Sequence, residues 1–240
     1  KGNTKAVLTV EKVGKVDLPA PDIFFGNSKM EVTDTDIYKS DQVFTRGQMI
    51  TVTGIDNLNE WWIDPDFFEK QSDGTLKFLP INGDYRVTAN GILKYFSVIA
   101  LKDGKPAKLQ DDGTGAIWAI GKGIGKPSVT SSEVGWETGK ALCLAQVAPK
   151  KYQLTLKAGE TLKTSGDWEA ISFKFFYQND WGGEFSNYAS NTLVEQLKLT
   201  GSGNLEMQDN KAFEEGGVYR FTIDVTNGNA NAILKVEKIN

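Results

Sequence analysis

A period of two runs through this chain. In KKYQLTLKAG, Tyr152, Leu154 and Leu156 alternate with Gln153, Thr155 and Lys157. In VYRFTIDV, Tyr219, Phe221, Ile223 and Val225 alternate with Arg220, Thr222 and Asp224. ISFKFFYQ sets Ile171, Phe173, Phe175 and Tyr177 against Ser172, Lys174, Phe176 and Gln178. Successive side chains of a strand point to opposite faces, so each segment reads as a strand with one buried face. AVLTVEKV (6–13), QMITVTGI (48–55), YRVTA (85–89), LKYFSVIAL (93–101) and ILKVEKI (233–239) read the same way. Turn dipeptides separate them, among them Asp73-Gly74, Asn82-Gly83, Asp103-Gly104, Asp112-Gly113 and Asn227-Gly228. Short strands between frequent turns predict antiparallel sandwiches. Helix signals are sparse: SNTLVEQLKL (190–199) has room for about two turns, and PDFFEKQ (65–71) for a single turn with Pro65 at its start.

An internal repeat sets the number of domains. NGDYRVT (82–88) precedes ILKYFSV (92–98), and GGVYRFT (216–222) precedes ILKVEKI. Each is a Gly-x-Tyr-Arg strand, a turn and an Ile-Leu-Lys strand, so two domains are expected to close with similar hairpins. The polar stretch KDGKPAKLQDDGTG (102–115) reads as the connection, giving domains over residues 1–108 and 109–240. GKGIGKP (121–127) lacks the ending of a phosphate loop and reads as a strand-to-loop turn.

Several function classes are disfavoured. The net charge of −4 offers no basic excess for a nucleic-acid backbone. Histidine is absent, which removes the common nucleophile–base triads, histidine-ligated metals and the usual proton shuttle near neutral pH. The lone Cys143, in KALCLAQV, reads as a small buried hydrophobe. A catalyst built from paired carboxylates would draw on Asp64, Asp66, Glu69, Asp167, Glu169, Asp180 or Glu184. Asp34, Asp36, Asp41, Asp64 and Asp66 supply the hard oxygens a calcium site needs, but their spacing completes no ligand loop. Most of these read as solvated loop carboxylates. The expectation is therefore no enzyme, no metal and no cofactor. The chain opens at Lys1-Gly2-Asn3 without a charged-then-apolar leader, as a mature form would after removal of a signal.

The six tryptophans carry the positive signal. Trp118 lies in an apolar strand and belongs to a core. Trp168 follows Gly166-Asp167 and is open to either fate. Trp61 and Trp62 are adjacent, so an extended backbone sends one inward and one outward. Trp136 sits in the polar loop EVGWETGK, and Trp181 in NDWGG. One fate for a loop tryptophan is to plug the end of a sandwich. The other is to bind a sugar, whose C–H face packs on an indole while nearby amides and carboxylates take its hydroxyls. FYQNDWGG has that composition: Trp181 is the platform, with Gln178, Asn179 and Asp180 beside it. Lys174 shares a strand face with Gln178 and extends the polar rim.

The ordered set AIWAIGKGIGKP, VGWETGKAL, KKYQLTL, SFKFFYQNDWGGEF and GGVYRFTIDV…ILKVEKI resembles one module of the SusE/SusF-type proteins, outer-membrane glycan-binding lipoproteins of Bacteroidetes. The similarity covers about residues 116–240. It implies an all-β fold of two antiparallel β-sandwich (immunoglobulin-like) domains in tandem. It implies cell-surface binding of a starch-like or other polysaccharide or oligosaccharide, through Trp181 and Trp136 as platforms with Asn179 and Asp180 as polar partners. Trp61 or Trp62 would offer a second patch. A lipid anchor and association with an outer-membrane transporter complex follow from the same resemblance. An insertion, ASNTLVEQLKLTGSGNLEMQDNKAFEE (189–215), departs from the pattern and stands where it can reshape the site. The rival readings are a structural or adhesive module serving a glycan transporter, without a sugar site, and a glycosidase.

Overall fold

A computed structural model describes residues 20–165 and 170–240. The strand expected at 6–13 and Trp168 lie outside the described residues. The fold is all-β, with two cores.

The first core lies under a five-stranded antiparallel sheet. Its order is Lys105–Pro106, Tyr95–Lys102, Gly83–Asn90, Ile37–Phe44, Glu31–Asp34. The inward positions of the two central strands, Tyr85, Val87, Ala89, Phe96 and Val98, are buried. They meet Phe25, Ile50, Phe68, Leu76 and Phe78 from two three-stranded sheets. Each large apolar side chain so buried contributes about 1.5–3 kcal/mol, so the alternation read from sequence supplies most of the driving force. QMITVTGI is two short strands, Met49–Ile50 and Val52–Thr53, which pair with different sheets.

In the second core two sheets face each other. One runs Glu133–Gly135, Trp118–Gly125, Ser172–Phe176, Leu205–Met207, Leu197–Leu199, with Leu142–Cys143 also pairing with Trp118–Gly125. The other runs Ala145–Ala148, Lys151–Lys157, Val218–Asp224, Ile233–Lys238, Ser190–Thr192. The Phe173 and Phe175 rings reach Phe221 across the gap, at 5.5 and 6.4 Å. Ala107 and Leu109, from the polar connection, join this second core.

The repeated hairpins have a shared physical basis. Gly83 and Gly217 each stand two residues before a tyrosine on the same strand face. A Cβ on Gly83 would lie 3.3 Å from the Tyr85 ring, and one on Gly217 3.1 Å from that of Tyr219. The glycine leaves bare backbone for the tyrosine to cover.

Two expectations are corrected. Residues 190–199 form no helix. The sheet edges claim both ends of the segment: Ser190–Thr192 runs parallel to Ile233–Lys238, and Leu197–Leu199 pairs with Leu205–Met207. Two turns of isolated helix are marginal, and strand partners on both sides outweigh them. The insertion is thus built into both sheets. Likewise GKGIGKP is no turn: Gly121, Gly123 and Gly125 end the strand Trp118–Gly125, which bulges against Glu133–Gly135. At Gly121 φ is +140°, and a Cβ would stand 2.4 Å from Phe173 Cα. Only glycine allows that approach.

Candidate functional site

The sheet register brings two tryptophans together. The strand Ser172–Phe176 ends in a tight turn whose Tyr177 N–H donates to the Gly183 carbonyl at 2.7 Å. Gly182 and Gly183 take φ of +83° and +72°, which only glycine adopts at little cost. Gln178 Nε2 donates to the Trp181 carbonyl at 2.7 Å, and the Trp181 N–H donates to Asp180 Oδ1 at 2.8 Å. Two of the predicted polar partners are thus engaged in holding the turn that presents the indole. Trp181 remains 52% exposed. Its ring lies edge-on to Phe176 at 6.0 Å and stacks on Trp136 at 6.3 Å, with 27° between planes.

Trp136 arrives from the other side of the sheet's end. It follows the strand Glu133–Gly135 and precedes a turn of 3-10 helix, Thr138–Lys140. Glu133 anchors this segment by accepting from the Gly123 N–H at 2.8 Å and from Lys163 Nζ at 3.0 Å. Burial opposes its charge, yet these donors hold its carboxyl below the ordinary value. Trp136 is half-buried against the second core. Lys174 shares a strand face with Phe176, hence with the indole pair, and is half-buried opposite Ile120. Asn179 is half-buried at the turn and makes no side-chain hydrogen bond to the described residues.

Trp61 and Trp62 do not form a surface patch. Trp61 is 9% exposed and stacks on Phe96 at 4.7 Å in the first core. Trp62 points the opposite way, as an extended pair requires, toward the seam between the two halves, where it is half-buried. Its Nε1–H donates to Glu160 Oε1 at 2.6 Å.

The same seam holds a charged cluster, two of whose members, Asp64 and Asp66, are expected in solvent from the sequence. Asp64 (5% exposed), Asp66 (1%) and Lys126 (6%) are buried together. Lys126 Nζ donates to Asp64 Oδ2 at 2.7 Å and to Asp66 Oδ2 at 3.3 Å, and lies 5.9 Å from the Trp62 ring centroid. Asp66 also accepts from the Thr155 N–H at 2.6 Å, Thr155 Oγ1 at 2.6 Å and Gln153 Nε2 at 2.7 Å. Burial pushes its pKa up, but Lys126, Gln153 and Thr155 outweigh burial and hold it below the ordinary value. Asp64 has fewer donors, and burial raises its carboxyl with the Asp66 charge adding to the effect. Lys126 is disfavoured by burial, yet the two carboxylates raise its pKa. The expectation of solvated carboxylates at 64 and 66 fails because the polar face of Lys151–Lys157 turns toward the first core. Among the described residues no group of three His, Cys, Asp or Glu side chains is placed to hold a metal ion. Cys143 is buried, which pushes its thiol up to about 12 and leaves it protonated at neutral pH.

Two family models match this chain. Residues 13–109 match a domain of unknown function, DUF5125, and residues 112–226 match another, DUF5121. The chain is a tandem of two β-rich domains. No curated protein matches it. Neither family description names a SusE/SusF protein or a ligand.

Proposed function

We propose that this chain is a non-enzymatic, cell-surface glycan-binding protein of SusE/SusF type, with two immunoglobulin-like β-sandwich domains divided near residues 108 and 109. In this reading it is lipid-anchored at the outer membrane beside a glycan transporter, and its ligand is a polysaccharide or oligosaccharide. The observation that carries the proposal is the Trp136–Trp181 pair. Two loops bring their indole centroids to 6.3 Å, and one indole stays half exposed. An indole held this way suits the C–H face of a sugar ring, and Asn179 and Lys174 stand at its margin to take hydroxyls. Gln178 and Asp180 act as positioning residues. The non-enzymatic part of the reading is supported by the buried carboxylates, since Asp64 and Asp66 are both engaged by Lys126.

The test is calorimetric titration of the intact protein with neutral oligosaccharides, repeated on Trp181→Ala and Gln178→Ala. Trp181→Ala is expected to remove binding and Gln178→Ala to weaken it by up to about tenfold. Unchanged affinity in Trp181→Ala rejects the platform.

A further inference from the structure

A cleft of about 700 Å³ lies along the seam between the two domains. Its floor is the outer face of the first domain's main sheet. The register sets Thr88 opposite Ser97 and Asn90 opposite Tyr95, so hydroxyls and an amide line up in adjacent rows. Its wall is the second domain's segment from Val129 to Cys143, including Ser131, Glu133 and Glu137.

Three properties define what such a cleft accepts. First, its charges are already paired within the protein. Arg86 is bidentate to Asp41 at 2.7 Å, Lys126 is held by Asp64 and Asp66, and Lys140 pairs with Glu137. Glu133 pairs with Lys163. The lining therefore offers hydrogen bonds without an unpaired charge, which favours a neutral polyhydroxylated ligand over a phosphate or a cation. Second, the walls are fixed. Besides the buried cluster, the Ile81 N–H donates to the Gln146 carbonyl at 2.9 Å and Arg46 to the Val147 carbonyl at 2.7 Å. A preformed site loses little ordering free energy on binding. Third, the cleft and the tryptophan pair share one chain segment, although neither tryptophan lines the cleft. Gly135 and Glu137 line it, while Trp136 between them stacks on Trp181.

We propose that the interdomain cleft is a binding site for a neutral oligosaccharide, separate from the tryptophan pair but sharing the 135–137 segment with it. The proposal rests on the carbohydrate reading for the class of ligand, and on the cleft itself for the place. It makes the binding surface a joint product of both domains.

The experiment is calorimetric titration of the whole chain with maltoheptaose, cellohexaose and xylohexaose, with trigalacturonate as an anionic comparator. Ser97→Trp fills the cleft from a strand position that tolerates an aromatic. Asn90→Ala removes an amide without adding bulk, and both variants are checked for an unchanged melting profile. The expected result is at least about tenfold weaker binding of a neutral oligosaccharide in Ser97→Trp, and about three- to tenfold in Asn90→Ala. Loss in Trp181→Ala with no change in either cleft variant overturns the cleft and leaves the platform standing. Loss in the cleft variants alone supports the cleft and removes the platform. Preference for trigalacturonate, or no binding of any neutral probe to the wild-type chain, overturns the proposal.

Discussion

Trp61 and Trp62 are neighbours in sequence and part company in the fold. Trp136 and Trp181 are distant in sequence and stack. The first pair lies on extended backbone, so one ring enters a core and the other enters the seam between domains. The second pair comes from two loops that emerge at one end of a sheet, and only the register of that sheet brings them together. Adjacency in sequence thus says little about which aromatics meet in the fold. The pairs also differ in their most exposed and most buried members: Trp61 is enclosed in a core and Trp62 and Trp136 are each half-buried, whereas Trp181 keeps half its surface exposed.

That contrast is open to disruption at graded cost. Trp61→Ala empties a packed site in the first core and should lower stability by about 3–5 kcal/mol, measured by urea unfolding. Asp66→Ala leaves Lys126 buried with one partner, and a loss of about 3–5 kcal/mol is expected. Asp64→Ala should cost less than Asp66→Ala, because Asp66 anchors Gln153 and Thr155 as well as the lysine. The pH dependence sharpens this. The Asp66 carboxyl is held below its ordinary value in the folded chain. The stability it lends is complete above the ordinary aspartate range and is lost as pH falls through the folded value. Acid unfolding of Asp66→Asn should lack that part of the slope. Glu160→Gln weakens one hydrogen bond to Trp62 and should cost about 0.5–1.5 kcal/mol in the same assay. Trp181→Ala stands at the far end: its indole is half exposed, so a melting curve should shift little while glycan binding disappears.

The strands were legible because alternation and turn dipeptides are local signals. The hairpin glycines at 83 and 217 announced themselves through the Gly-x-Tyr repeat. The buried Asp64–Asp66–Lys126 cluster was not legible. Its signal is the polar face of Lys151–Lys157, and alternation cannot say whether a polar face meets water or another domain. Lys126 beside a run of glycines within an apolar strand was the one local hint. The candidate tryptophan pair is suggested by composition, since Trp181 and Trp136 both sit in polar loops. Their contact is not, because it depends on register across the sheet. The roles of Gln178 and Asp180 also turned on geometry: their positions suggested a rim, and their hydrogen bonds fix a turn.

The central claim is that Trp181 is exposed in order to meet a glycan. Acrylamide quenching of tryptophan fluorescence, with and without a panel of soluble glycans, tests it most directly. The account predicts a readily quenched component that one glycan protects in a saturable way, and that is missing from Trp181→Ala. Quenching that no glycan alters would contradict it and leave the indole pair as loop packing.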